Sequence, residues 1–503
     1  MKYLSAIIGV LWLALTAQAA LPQPDLIAQI YFAGPQKISA AAPGALFTNE
    51  FSSTEALALR AQTAAKLSAW LAGWLQTNLT ATVPAGPAKL RPLLDDLQRS
   101  EFLLEIRAAA GGQPEMAIAI KLDAARAPLW QANLKPFFAV GTFKSTGGWL
   151  IFDSNPTLQG LGDKLAKEIA TPPAGWFELE VNWPRLAQWH PEFKALGLPD
   201  TRFIITPSGN NLSITGKFHF PADVALNLDS WRVPTNTIHA PFNSFTAVRG
   251  FASWYQAQAW AQPYQLSPAP NQLFVWSLPA LAFQTYAAVP VPDAAAAISQ
   301  VYGRVMPAVT EANSRGEFMT PVKPEMSHND LVMGGIPFAA LRGQPLTGPA
   351  GQFLFAELFP NSPDGMPLPP GLLGRLATKD LLFYHWENTA DRIPQLLQIT
   401  QLGLMITKHQ QLDGRSAAYK WVRKAGATPG SSETGITRTG PAEFTFLRQG
   451  PGLFTAFELF ALANWLEAPN FPGCDLNPQP GVPPAAEPQP PERLKAPVPA
   501  TSH

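Results

Sequence analysis

Three stretches of this chain share one order of predicted elements: a strand, a tight turn, a second strand and a helix. In the first stretch, apolar and polar residues alternate over 102–106 and again over 116–122, on either side of a Gly-Gly-Gln-Pro turn. Such alternation places one set of side chains on one face of a β-hairpin. Asp123 then begins a predicted helix.

Two later stretches repeat this order: 273–278, 283–289 and a helix from Asp293, then 436–439, 444–448 and a helix over 453–466. Because hairpins outnumber strand–helix–strand crossovers, we predict an α+β fold rather than a doubly wound nucleotide-binding fold. In this fold, repeated β-hairpin–helix modules form mainly antiparallel sheets, with helices packed on one face. The recurrence is also typical of an internal duplication.

The first 19 residues have the pattern of a signal peptide. Lys2 supplies a positive charge, an apolar run extends from Leu4 to Leu15, and small residues for cleavage end at Ala19. The run is shorter than the roughly 20 residues that cross a bilayer. We therefore expect an exported protein, periplasmic or extracellular, with a signal peptide over 1–19 and no transmembrane segment after its cleavage.

The rest of the chain divides into two predicted domains and a tail. The least repetitive stretch, 236–250, separates an N-terminal α+β domain over 20–243 from a C-terminal α+β domain over 244–470. Residues 471–503 are rich in proline and poor in large apolar side chains. They predict a disordered, solvated tail. The alternatives for this tail are a spacer or a ligand for an aromatic groove.

Charge and aromatic content limit the partners of the chain. Lys and Arg number 36, as do Asp and Glu, so there is no net field to attract nucleic acid. Only 14% of residues are charged, while 15 Trp and 30 Phe are present. Two interpretations follow: large apolar cores, or an aromatic-rich surface for a protein, lipid or glycan partner. Cys474 is the single cysteine, which excludes an intramolecular disulfide.

Familiar catalytic and ligand-binding motifs are missing from the sequence. The seven histidines stand singly, and H-E-x-x-H, C-x-x-C, G-x-S-x-G, G-x-G-x-x-G and P-loop motifs do not occur. We therefore predict no metal site and no cofactor, and the sequence assigns no catalytic residue.

Two places nevertheless carry the residue types of an active site. His385 lies on a predicted strand over 381–386 that is apolar on both sides, and Glu387 follows it. A half-buried histidine beside a carboxylate suits acid–base chemistry, although a local packing role is the alternative. Glu178 and Glu180 form a carboxylate pair of the kind that glycosidases use. Since they alternate with apolar residues, we predict a solvated strand edge instead.

Three further features receive structural interpretations. Strand parity predicts that His219 faces water. Asp95 and Asp96 are predicted to lie on the surface of a helix. The helix over 453–466 is hydrophobic nearly all round, which predicts a helix buried on the last hairpin. A peripheral membrane contact is the alternative.

Four passages resemble a group of large, uncharacterised, exported proteins of bacterial cell envelopes that share a domain of unknown function. They are LLDDLQRSEFLLEIRAAAGGQPEMAIAIKLDAARAPLWQANL, NQLFVWSLPALAFQTYAAVPVPDAAAAISQVY, KDLLFYHWENTADRIPQLLQITQLGLMIT and SSETGITRTGPAEFTFLRQGPGLFTAFELFALANWLE. The likeness spans most of residues 25–470. It implies export and a shared fold, and it transfers no functional residue.

Together these features lead to one functional expectation and two alternatives. We expect an exported envelope protein of non-enzymatic binding or scaffold role, with a protein, lipid or glycan partner held on an aromatic-rich concave sheet face. One alternative is a hydrolase of cell-envelope polymers with an unfamiliar active site, at His385 and Glu387. The other is an architectural protein whose tail reaches another surface component.

Overall fold

The computed structural model describes residues 25–472 with short gaps, which are 42, 45–49, 79–85, 109–113, 157–159, 172, 190–193, 195–196, 236, 239–240, 259–265, 280–283, 319, 328–329, 335–338, 346–350, 359–369, 407–415 and 469–470. The predicted signal peptide and nearly all of the predicted tail lie outside the described residues.

The described chain contains eighteen strands: β1 (Leu26–Phe32), β2 (Phe102–Ala108), β3 (Pro114–Lys121), β4 (Thr142–Thr146), β5 (Trp149–Asp153), β6 (Phe177–Val181), β7 (Asp200–Ser208), β8 (Asn211–His219), β9 (Ser244–Arg249), β10 (Gln272–Ser277), β11 (Thr285–Val291), β12 (Lys323–Ser327), β13 (Asp330–Gly334), β14 (Ala339–Pro345), β15 (Gln352–Leu358), β16 (Leu381–Asn388), β17 (Ser431–Arg438) and β18 (Glu443–Gly450).

Its helices are α1 (Gly34–Ser39), α2 (Thr54–Asn78), α3 (Pro87–Leu97), α4 (Ala127–Leu134), α5 (Leu161–Glu168), α6 (Trp183–Trp189), α7 (Ala252–Ala257), α8 (Ala294–Ser314), α9 (Pro370–Leu376), α10 (Thr389–Ile406), α11 (Ala417–Ala425) and α12 (Ala456–Glu467). The α+β class and the antiparallel sheet that the hairpin patterns predict are confirmed.

All eighteen strands belong to one antiparallel sheet, and its two halves have the same strand order. The first half runs β4-β5-β3-β2-β1-β6-β7-β8. The second runs β14-β15-β11-β10-β9-β16-β17-β18, with β13 and β12 added beyond β14. The halves join where β8 pairs with β18. Hairpins β2–β3 and β10–β11 are therefore counterparts, whereas the third predicted hairpin, β17–β18, corresponds to β7–β8.

Two glycines mark equivalent points in the halves. Gly34 follows β1 and Gly250 follows β9, and both have left-handed φ angles, +78° and +82°. Phe32, two residues before Gly34, pairs with Phe177 of β6. Val248, two residues before Gly250, pairs with Phe383 of β16. The halves can therefore be compared position by position.

The two predicted domains share one sheet and one helical layer. Strand β9 begins at Ser244, where the predicted second domain begins, yet Ala56 and Leu59 of α2 pack in one cluster with α10, α11 and α12. Helix α2 belongs to the first predicted domain and the other three to the second. The two stretches therefore share this cluster, while other clusters lie within one stretch each.

Helices contact both faces of the sheet at β3, where we predicted helices on one face. Ile118 and Ile120 pack with helices α2, α3 and α4. Ala117 and Ala119, which alternate with them, lie in another cluster with Leu161 of α5, and α5 packs on β3. Because β3 is paired on both sides, alternate side chains enter two separate apolar layers.

Helix α12 is buried on one side, where it packs with helices α2, α10 and α11 rather than on the last hairpin as predicted. Ala456, Leu459 and Ala463 are buried, and the neighbouring Arg448 of β18 binds Glu458 through two hydrogen bonds of 2.7 and 2.8 Å. Among the described residues, no helix is both long enough and apolar enough to cross a membrane.

Candidate functional site

The first half of the sheet carries a row of polar side chains across four neighbouring strands. Gln29 of β1 lies between Glu105 of β2 and Glu180 of β6, and Glu180 pairs with Arg202 of β7. Because laterally paired residues point to the same side of a sheet, these four side chains share one face. We call Glu105, Gln29, Glu180 and Arg202 the polar row.

A pocket of about 320 Å³ lies on the polar row. Its floor comes from β1 and β6, and one wall is the C-terminal end of α5 with the segment that follows it. Ten residues line it: Gln29, Tyr31, Leu103, Glu168, Thr171, Pro173, Glu178, Leu179, Glu180 and Arg202. This volume is at the small end of the range for ligand pockets.

Beneath the pocket, Glu105 is buried and fully paired. Lys164 of α5 donates to its carboxylate at 2.6 and 2.8 Å, and Arg107 forms an ion pair with it. The Gln29 amide bridges from Glu105 to Glu168, with both N···O distances at 3.4 Å. This network holds the end of α5 over β1 and sets the position of the pocket wall.

Arg202 forms ion pairs with two of the pocket carboxylates, and Lys164 forms one with the third, Glu168, at 3.3 Å. Arg202 lies 3.6 Å from Glu178 and 3.8 Å from Glu180, which are ion-pair distances longer than hydrogen bonds. Burial raises the pKa of Glu180, and the nearby charges of Asp200 and Glu105 raise it further, while Arg202 opposes the shift. Glu180 therefore holds its charge at a free-energy cost that another cation would reduce.

The prediction that Glu178 and Glu180 lie on a solvated strand edge is wrong. Strand β6 pairs with β1 on one side and β7 on the other, so it is an interior strand. Their side chains are 19% and 23% exposed. Parity correctly places both carboxylates on one face, but that face is enclosed by α5 and the segment after it.

Three of the four equivalent positions in the second half of the sheet are aromatic, and the fourth, which pairs with Trp386, is Glu433. Phe245 stands where Gln29 does, Trp276 where Glu105 does and Trp386 where Glu180 does. Trp276 also stacks on Tyr286, with ring centroids 5.6 Å apart. This arrangement of strands is therefore stable with packed rings in these positions, so the sheet does not require the carboxylates of the polar row.

These aromatic side chains form core rather than surface. Phe245 and Trp276 are at most 1% exposed, and Ile238 and Leu372 are among the residues that pack with them. Of the two interpretations of the aromatic content, the apolar core therefore holds for this part of the sheet. Large exposed hydrophobics are scattered elsewhere, for example Trp70 and Trp254.

His385 and Glu387 meet in a second, more deeply buried polar cluster. The Thr246 hydroxyl lies 2.8 Å from His385 Nδ1, and His385 Nε2 lies 3.2 Å from Glu387 Oε2. Glu387 also accepts hydrogen bonds from the Thr389 hydroxyl and from the main-chain N–H of Ala456, both at 2.7 Å. The local packing that we gave as the alternative is thus visible, within a chain of hydroxyl, imidazole and carboxylate.

The pKa of Glu387 lies below its ordinary value although the residue is fully buried. Burial alone would raise it, but the hydrogen bond and charge of His385 and the bonds from Ala456 and Thr389 together outweigh burial. Glu387 is therefore an ionised carboxylate held by three donors.

Two other predicted positions have different outcomes. His219 is 54% exposed beside Glu443, so the prediction that it faces water is confirmed. Asp96 was predicted on a helix surface, and this is wrong: it accepts from Arg126 at 2.8 Å and from Trp130 Nε1 at 2.9 Å. Among the described residues, no group of three His, Cys, Asp or Glu side chains is arranged to hold a metal ion.

Sequence reasoning did not identify the pocket residues Gln29, Glu168 and Arg202. The available signal was the two glutamates on one face of a strand whose other face is apolar, followed by Arg202 in the next strand. Only the pairing of β6 with β1 joins these residues into one site.

Comparisons with models of protein families, with curated proteins and with solved structures find no match for this chain. The pocket geometry therefore carries the functional argument.

Proposed function

We propose that the chain is an exported envelope protein with a non-enzymatic role, which binds a small polar ligand in the pocket on the polar row. The observation that carries this proposal is a 320 Å³ pocket whose carboxylates Glu178 and Glu180 stand where the other half of the same sheet has the rings of Tyr384 and Trp386. Burying charged groups costs free energy, and the equivalent half shows that the fold does without them. A binding role accounts for that cost.

Export and repetition belong to the same proposal. The charged, apolar and small-residue pattern of residues 1–19 supports export to the periplasm or the extracellular space. The matching strand orders of the two halves support an origin by duplication of a module with eight strands. In this proposal the two copies diverged, so that one has three rings in the row and the other has the pocket.

A pocket-filling variant tests the proposal. Thr171 is exposed at the rim of the pocket, so Thr171→Trp is expected to block the pocket and leave the sheet intact. Native mass spectrometry of the mature protein, purified from its own envelope fraction, should show a retained small molecule for the wild type and its loss in the variant. Thr310→Trp, at an exposed position of α8, is the matched control. Equal retention by both variants would contradict the proposal.

A second candidate function, hydrolysis of an envelope polymer, is favoured by the chain from Thr246 through His385 to Glu387. In such chemistry the Thr246 oxygen attacks the carbonyl carbon of an ester or amide while His385 takes the hydroxyl proton, and Glu387 stabilises the resulting imidazolium. His385 returns the proton to the leaving alcohol or amine as its bond to the carbonyl carbon breaks, and water then hydrolyses the acyl-threonine. Thr246→Val removes the hydroxyl and keeps the shape of the side chain. A polymer-hydrolysing activity that survives this substitution would eliminate the candidate.

A further inference from the structure

We infer that the ligand of the pocket carries a positively charged nitrogen group, an amine or a guanidinium. This inference rests on the proposed function, since it states which ligand chemistry the same pocket selects. It follows from the charges of the lining, from the helix end at the rim and from the size of the cavity.

Acidic groups outnumber basic ones in the lining. Glu168, Glu178 and Glu180 line the pocket, and Arg202 is the one cation among the ten lining residues. Lys164 lies close by and is shared between the buried Glu105, at 2.6 Å, and Glu168, at 3.3 Å. An anionic ligand would therefore meet net repulsion, whereas a cationic ligand would meet net attraction that strengthens as water is displaced.

The end of helix α5 adds to this preference. The helix ends at Glu168, and the chain then continues to Thr171 along the pocket wall. The C-terminal end of a helix carries a partial negative charge because its last carbonyl groups point outward. The helix end and the carboxylates thus have the same sign at one wall.

Neither Tyr31 nor Arg202 of the lining forms a short hydrogen bond with Glu178 or Glu180 that a ligand would have to displace. The Tyr31 hydroxyl donates to Glu101 at 2.7 Å and accepts from Lys37 at 2.9 Å, so it is committed outside the pocket and its ring forms the floor. Arg202 lies 3.6 Å from Glu178 and 3.8 Å from Glu180. A ligand cation that approaches these carboxylates would form shorter, charge-assisted hydrogen bonds with them.

The cavity volume limits how much of the ligand enters. A pocket of about 320 Å³ admits a short chain with its charged end, at the small end of ligand pockets. The amine therefore belongs either to a free small molecule or to a side group of a longer peptide. These two sources share the chemistry recognised here.

Three probes of one chain length test the charge preference by calorimetry on the mature protein. We expect 1,5-diaminopentane to bind, and its N,N′-diacetyl derivative and glutarate to bind at least tenfold more weakly. Glu180→Gln should weaken diamine binding about tenfold. Arg202→Gln removes the competing cation and should strengthen it severalfold. Glu433→Gln, at the position equivalent to Arg202 in the other half, is the control and should leave binding unchanged.

The outcomes separate this inference from the function on which it rests. Glutarate binding that Thr171→Trp abolishes, or weaker diamine binding in Arg202→Gln, would overturn the cation inference and leave a ligand pocket. Failure of all three probes, together with a bare mass in native spectrometry, would overturn both. A lysine-containing tripeptide that binds more tightly than the diamine identifies a peptide source, and the reverse order identifies a free amine; both support the inference.

Discussion

The main-chain N–H of Ala456 donates a 2.7 Å hydrogen bond to the Glu387 carboxylate, so a side chain of β16 holds the first turn of α12. A carboxylate at the start of a helix is stabilised by the free N–H groups there and by the helix dipole. Thr389, which begins α10, donates to the same carboxylate. One buried charge thus anchors the starts of two helices to the central region of the sheet.

Replacing this anchor should destabilise the fold. Glu387→Gln removes the charged acceptor shared by Ala456, Thr389 and His385, for which we expect a loss of about 3 kcal/mol in the free energy of unfolding at pH 7. Because the pKa of Glu387 is lowered in the folded state, the stabilisation exists above the ordinary carboxyl pKa and fades as the pH falls below it. Urea unfolding at pH 7 and pH 4 measures both effects.

The matched control is Glu443→Gln, at a carboxylate that is half exposed beside His219. Exposed pairs contribute little, so this variant should unfold like the wild type at both pH values. Equal stability of Glu387→Gln and the wild type at pH 7 would refute the anchoring role.

Local sequence signals predict the elements well where the cause is itself local. Asp293 caps α8, with its carboxylate accepting from Ala296 N–H at 3.1 Å, and the helix was predicted from this residue. Helix α4 was predicted from Asp123 but begins at Ala127, because a proline at the next position favours the first turn of a helix. Such shifts reflect competing local preferences.

The candidate site was less predictable because its causes are not local. Parity predicts that Glu178 and Glu180 share a face, and they do. Their neighbours across the strand are Tyr31 and Gln29, which lie about 150 positions earlier in the chain. The pairing of distant strands decides whether a polar strand face meets water or a pocket, and periodicity carries no information about that pairing.

One buried carboxyl group should make the protein less stable as the pH rises. Glu50 is 3% exposed, and its Oε2 atom has no hydrogen-bond partner among the described residues. Burial raises its pKa from 4.5 to about 8. The folded state therefore binds a proton more tightly than the unfolded state, and stability falls as the pH rises from about 4.5 to about 8.

Glu50→Gln tests this dependence, since the amide has a similar shape and does not ionise. We expect the variant to melt several degrees above the wild type at pH 8.5 and within about one degree of it at pH 5. Thermal melts of both proteins across this pH range provide the measurement. A constant difference between the two curves at every pH would show that Glu50 does not titrate in the folded state.

Adding a side chain should destabilise the protein by different amounts at the glycines that follow β1 and β9. Both Gly34 and Gly250 have positive φ angles, so alanine costs about 1–2 kcal/mol at either position from backbone strain alone. A Cβ at Gly34 would also lie 2.9 Å from the main-chain nitrogen of Glu101. The three atoms nearest to a Cβ at Gly250 belong to leucine side chains, and the first two are chain ends at 3.1 Å. Gly34→Ala should therefore destabilise the protein more than Gly250→Ala in urea unfolding.

Gly73, in the interior of α2, provides the opposite control. A Cβ there would meet no atom within 4 Å in the described part of the chain, and alanine forms helix better than glycine by about 1 kcal/mol. Gly73→Ala should accordingly stabilise the protein slightly while the other two variants weaken it. Equal losses at Gly34 and Gly250 would mean that backbone strain dominates and that the close approach to Glu101 relaxes without cost.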